Sequence, residues 1–152
     1  MKTKNIFLYL PLLLALMIGA MGCSSDEDDN MKSSLCNSWM LVSYGNESNE
    51  VLKEAEGYYY LITFNPDETY SGSAYGNDMG GRYKCKGNKI QIYLGDITLN
   101  YLEGADPDKS FFEHLENVDT YTVSDTELRL YYSKIEYLKF RKNKTTKLES
   151  LP

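Results

Sequence analysis

The chain has 152 residues, with 16 Lys+Arg against 22 Asp+Glu, three Cys and one His. That length holds one domain, and a formal net charge of −6 excludes a basic nucleic-acid binder. An apolar share of 42% beside 25% charged residues also excludes a multi-span membrane protein, a disulfide-dense mini-protein and a wholly disordered chain.

Met1-Lys-Thr-Lys-Asn5 is a short positive segment, and the run Ile6 to Ala20 that follows is apolar. In a helix that run reaches about 22 Å, too short for a hydrocarbon core of ~30 Å. It therefore reads as the apolar region of a secretory signal covering residues 1–22. Ala20-Met21-Gly22-Cys23 resembles a lipobox, with Ala20 where Leu or Val is usual. The reading makes Cys23 the lipidated first residue of the mature chain, its thiol accepting the diacylglycerol; the alternative is ordinary cleavage before an unmodified Cys23. Without Lys2 and Lys4 the mature chain keeps 14 Lys+Arg against 22 Asp+Glu.

Ser24 is followed by Ser25, Asp26, Glu27, Asp28 and Asp29, a small and acidic run. It resembles the signal that carries Bacteroidetes lipoproteins to the outer face of the outer membrane. The alternative is a plain acidic tether. Residues 23–34 are thus expected to be a lipidated Cys and a flexible acidic tether. The expected location is the outer membrane, lipid-anchored and facing the cell exterior.

From Trp39 the dominant signal is alternation with a period of two, the mark of half-buried strands. Ser38 to Tyr44 opens the domain, and Tyr58 to Phe64 pairs with Thr69 to Tyr75 across the turn Asn65-Pro66-Asp67-Glu68. Residues 76–81 read as a flexible loop. Arg82 to Lys86 alternates charged residues outward with Tyr83 and Cys85 inward, and Gly87-Asn88 turns the chain. Ile90, Ile92 and Leu94 then face the core, and Lys89, Gln91 and Tyr93 face away.

Asp106-Pro107-Asp108 reads as a helix start, and Phe111, Phe112, Leu115 and Val118 recur at helical spacing. A helix of about 107–117 is expected. Strands follow at Tyr121–Val123, Leu128–Tyr132 and Leu138–Phe140, and residues 142–152 have no periodicity and should fray. The expected fold is α+β and mostly antiparallel β: a small barrel-like sheet of about eight strands with one late helix, over residues 35–141.

The order of these features resembles the META domain family, common in bacterial envelope lipoproteins. The resemblance rests on Trp39-Met-Leu-Val, Ile62-Thr-Phe64 and Tyr70-Ser-Gly-Ser-Ala-Tyr-Gly-Asn77. It continues through Gly80-Gly81-Arg-Tyr83, Gly87-Asn-Lys-Ile90, Phe111-Phe-Glu-His-Leu115, Tyr121-Thr-Val and Leu128-Arg-Leu130. Gly76 stands where the family has Cys, and the family's later Met-Ala-Cys is missing near Leu99-Asn100-Tyr101. The resemblance implies fold and envelope location, since the family has no agreed biochemical activity. A lipocalin-like small barrel, which would carry a small apolar ligand, is the other architecture these strands fit.

No catalytic, cofactor or metal motif stands out. His114, the single His, sits on the flank of the helical stripe with nothing to position it as a base. Asp106-x-Asp108-x-Ser110 resembles the start of a calcium loop but lacks its Gly and Glu, and helix capping accounts for it. Cys36 and Cys85 remain once Cys23 is lipidated; they could pair or stay as two buried thiols. Tyr59, Tyr75, Tyr93 and Tyr131 could form an exposed aromatic face for a protein, glycan or small molecule, the alternative being packing within the barrel. The expectation is a non-catalytic lipoprotein without cofactor, held to the membrane through its lipid.

Overall fold

A computed structural model describes residues 25–52, 60–74, 76–98 and 108–144. In chain order the elements are α1 (Ser25–Leu35), β1 (Ser38–Asn46), β2 (Asn49–Leu52), β3 (Leu61–Phe64), β4 (Thr69–Ala74), β5 (Asn77–Lys86) and β6 (Lys89–Ile97). There follow α2 (Asp108–Glu116), β7 (Thr120–Val123), β8 (Glu127–Tyr131) and β9 (Tyr137–Lys142). Among the described residues no helix is long and apolar enough to cross a membrane.

The nine strands form one antiparallel sheet in the order β2-β1-β3-β4-β5-β6-β7-β8-β9, and β1 also pairs with β9. That last pairing curls the sheet into a barrel-like ring. Along one edge β1 uses Ser38–Met40 for β3 and Ser43–Asn46 for β2; its other edge holds β9. The register with β9 slips between Leu41 and Ser43, a bulge that sets Leu41 opposite buried Phe140 but Ser43 opposite Lys139. The β6–β7 seam is short, with Lys89 opposite Thr120 as its one register pair.

The interior follows the alternation in the sequence. Trp39, Ile62, Phe64, Tyr83, Leu128, Leu130, Leu138 and Phe140 are buried, with Phe64 meeting the Tyr83 ring edge-on at 5.0 Å. Phe111, Leu115 and Val118 of the α2 region join the same core, and Phe111 lies 4.9 Å from the Tyr60 ring. α2 spans Asp108–Glu116, close to the helix expected over 107–117.

Four local expectations differ from the structure. β2 is an added ninth strand, turned back onto β1 by Gly45 at φ 119° and by the Asn46 side chain, which accepts from the Ser48 and Asn49 amides at 3.0 Å each. Four polar-flanked residues carry too little alternation to announce a strand.

The segment 76–81, expected to be a flexible loop, belongs largely to β5. Gly80 and Gly81 pair with Ser71 and Tyr70 of β4. A Cβ on Gly81 would collide with the Tyr93 carbonyl oxygen and reach 2.9 Å from the Tyr70 ring. The glycines permit close packing here, not a loose loop.

The stretch expected to be a flexible tether is helical from Ser25 to Leu35. Its acids sit near the positive end of the helix dipole and Lys32 lies in the last turn. Met31 and Leu35, four residues apart, pack against the core, Leu35 with no exposure. Finally, the tail expected from residue 142 starts later: the Lys142 amide donates to Thr126 O at 2.9 Å and the Asn143 amide to Ser38 O at 2.8 Å.

The helices occupy opposite ends of the ring. Lys32 of α1 bonds Glu68 in the β3–β4 turn at 3.1 Å, and the Asp28 carboxylate lies against Gly87 in the β5–β6 turn. α2 lies at the other end, where β1 finishes and β8 turns into β9: His114 stacks on Tyr132 at 4.1 Å and lies 6.0 Å from the Tyr44 ring.

Candidate functional site

Three places gather polar or reactive side chains. The first is under α1. Tyr83 and Cys85, two residues apart on β5, point to one face, where Cys36 arrives from the α1–β1 junction. The Tyr83 hydroxyl donates to the Asn65 carbonyl oxygen at 2.7 Å, so the Cys36 thiol, 3.4 Å from that hydroxyl, is the donor to it. The Tyr121 hydroxyl is buried beside the Cys85 thiol and has no conventional hydrogen-bond partner. Burial pushes the Tyr83 and Tyr121 hydroxyls and the Cys85 thiol above their ordinary pKa values. Cys85 is therefore a protonated, weak nucleophile at neutral pH. Both thiols are free, so the pairing considered for Cys36 and Cys85 is not present in the structure.

The second place is the aromatic stack on α2. Burial lowers the His114 pKa, opposed by the charges of Glu136 and Glu113. The imidazole is stacked between α2 and the β8–β9 turn, at the opposite end from the two thiols, and so serves neither as their base. Among the described residues no three His, Cys, Asp or Glu side chains converge to hold a metal ion.

The third place is on the outer face. Tyr131 of β8 and Tyr137 of β9 face each other across their register, ring edge to ring face at 5.6 Å. Arg129 lies 4.9 Å over the Tyr137 ring and is held by Glu127 at 2.7 Å. With Asn46, Glu47 and Ile135 they line a groove of about 340 Å³. Beside it the bulge turns Ser43 toward the Glu50 carboxylate, which also holds Lys139 at 3.2 Å. The Ser43 hydrogen bond, then Lys139, keeps the Glu50 pKa below its ordinary value.

The four tyrosines expected on one aromatic face are not seen together. Tyr59 and Tyr75 lie outside the described residues, as does Cys23. Tyr93 stands exposed on β6 and donates to Gln91 at 2.6 Å; Tyr131 is two strands away and pairs with Tyr137 instead. The sequence reading missed Tyr137 and Arg129. Their alternation on β9 and β8 was visible, but the strand partners were not. Of the expected export residues, Ser25, Asp26, Glu27, Asp28 and Asp29 all fall within α1.

Comparison with known proteins bears on the fold and the family. No curated protein matches the chain. A DUF4847 family protein from Bacteroides vulgatus has a similar structure, with a TM-score of 0.57 and 19% identity over 73% of this chain and 95% of its own. A protein from Burkholderia xenovorans is similar with a TM-score of 0.61 and 15% identity, over 82% of this chain and 95% of its own. At those identities the likeness is one of fold. The family model for the META domain matches residues 33–145, from the last turns of α1 to just past β9, and the chain belongs to the META domain family.

Proposed function

We propose that this protein is a non-catalytic lipoprotein of the outer membrane, displayed on the cell exterior, whose META domain binds a partner or supports the envelope. The observation that carries this reading is Ala20-Met21-Gly22-Cys23 at the end of a fifteen-residue apolar run. One acyl chain binds a membrane marginally, whereas the several chains of a processed lipoprotein Cys hold it firmly. The large buried side chains of the core cluster, Trp39, Phe64, Tyr83 and Phe140 among them, support a binding role on the outer surface over carriage of an apolar ligand inside. The Tyr131–Tyr137 groove is one such place: the half-buried Tyr131 ring, a fixed guanidinium and the polar Asn46 and Glu47 suit a glycan or a peptide.

Labelled palmitate tests the anchor. It should enter the wild-type protein and fail to enter Cys23→Ala; label retained in the variant removes the lipid assignment. Display is tested by replacing Asp26, Glu27, Asp28 and Asp29 with Asn and Gln. Protease accessibility on intact cells should vanish, and its persistence removes the export role of these residues.

A further inference from the structure

The β5–β6 hairpin of this acidic protein carries a cationic stripe. Arg82, Lys84 and Lys86 alternate along β5 and all point outward; Lys89 faces Lys86 across the hairpin end. All four are exposed. Their outward neighbours on β6, Gln91 opposite Lys84 and Tyr93 opposite Arg82, are uncharged. Among the described residues the ion pair within the stripe is Lys89 with Asp119, at 4.0 Å; Asp67 acts on Arg82 from a greater distance. Four positive groups thus share one flat face while the chain as a whole is at −6.

The position of α1 relates this stripe to the start of the mature chain. Asp28 rests against Gly87, at the hairpin tip. Cys23 stands five positions before Asp28, a reach of at most about 18 Å for an extended chain. The helix packs on the face of β5 that carries Tyr83 and Cys85, opposite the face of the four cations, with Asp28 at the hairpin tip.

The geometry points to a membrane-docking face: Arg82, Lys84, Lys86 and Lys89 lie against the phosphate groups of anionic lipids beside the acyl anchor at Cys23. This rests on the lipid-anchor reading above and adds the orientation of the domain. Cations near an anionic surface gain on the order of fivefold in partition each, within about one Debye length. The anchor supplies that proximity. Tyr93, amphipathic and exposed at the edge of the stripe, suits the headgroup layer. The Tyr131–Tyr137 groove lies on β8 and β9, with Tyr131 two strands from Lys89 along one cross-strand row.

Acylated protein extracted from cells and reconstituted in vesicles provides the test. One set is phosphatidylcholine alone; the other contains about a third phosphatidylglycerol. A membrane-impermeant amine reagent reads each lysine by mass spectrometry. Lys84, Lys86 and Lys89 should react at least about fivefold more slowly on the anionic vesicles, while Lys139 of β9, across the ring from β5, reacts equally on both. High salt should abolish the difference. In acylated Arg82→Gln/Lys84→Gln, the protection of Lys86 and Lys89 should weaken, with an unchanged melting temperature as the control for folding. Equal reactivity on the two vesicles overturns the docking face while leaving the anchor intact. Protein recovered without an acyl chain overturns both. Equal protection by a single-stranded oligonucleotide added to neutral vesicles assigns the stripe to nucleic acid and overturns the membrane reading.

Discussion

The indole nitrogen of Trp39 donates to the carbonyl oxygen of Leu35 at 2.9 Å, in the buried interior. One bond therefore ties the last residue of α1 to the first inward side chain of β1. It also satisfies a carbonyl that the helix end would otherwise leave without a partner. The acidic segment is held to the ring at this point, and its register on the ring is set there.

If α1 is part of the folded unit, Met31→Ala, within the expected tether and packed against the core, should destabilise the protein by about 1–2 kcal/mol. Urea unfolding followed by Trp39 fluorescence measures it. A loss below about 0.5 kcal/mol, the usual figure for a surface position, would mean that the segment is a tether after all.

Gly81 is placed where β5 passes the Tyr70 ring and the Tyr93 carbonyl. Gly81→Ala should cost about 1–3 kcal/mol through displacement of β5, although alanine suits a strand as well as glycine does. The same change at exposed Ser71, the partner of Gly80, should cost under about 0.5 kcal/mol. Equal losses in chemical denaturation would show that the close approach is relieved at no expense.

Burial raises the Cys85 pKa, and the thiolate is the reactive form. Alkylation of Cys85 at pH 8 should be more than about tenfold slower in the native protein than in urea. Mass spectrometry resolves it peptide by peptide. A native rate equal to the unfolded one would place the thiol in solvent, and a missing Cys36 and Cys85 signal before reduction would reveal a disulfide.

His114 is held below its ordinary pKa of 6.5, chiefly by burial. The unfolded chain then binds the proton more readily than the folded one. Stability from this group is complete above pH 6.5 and is lost as pH falls from there through the folded pKa. The acids held low, Glu50 and Asp67, act in a lower window, below about pH 4.5. Melting temperature should therefore fall between pH 7 and pH 5 in the wild type and fall less in His114→Phe. Parallel curves for the two proteins would remove His114 from the acid sensitivity.

Much of the ring could be read from local patterns. The alternation in Trp39–Ser43 and in Lys89–Ile92, the Pro66 turn and the Gly87-Asn88 turn each act within a few residues, and each stands where expected. The helical stripe of Phe111, Leu115 and Val118 did so as well. What misled was composition taken without context. Gly80 and Gly81 read as looseness, and a run of four acids read as a solvated tether. Both are ordered by partners distant in sequence: Tyr70 and Tyr93 for the glycines, Glu68 and the Trp39 pocket for the helix.

The sequence by itself determined most of the strands and turns, the late helix and the family, because those depend on side-chain period and on backbone preferences of neighbouring residues. It also carries the apolar run Ile6–Ala20 and Cys23, on which the proposal of a lipid anchor rests. The tertiary structure alone decided the closure of β1 on β9, a pairing between residues about one hundred positions apart. That closure brings Asn46 and Glu47 to Tyr131 and Tyr137. The docking of α1 likewise brings Cys36 to Tyr83 and Asp28 to the hairpin tip. Such contacts depend on register and on the burial of a shared core, and no short window of sequence carries that information.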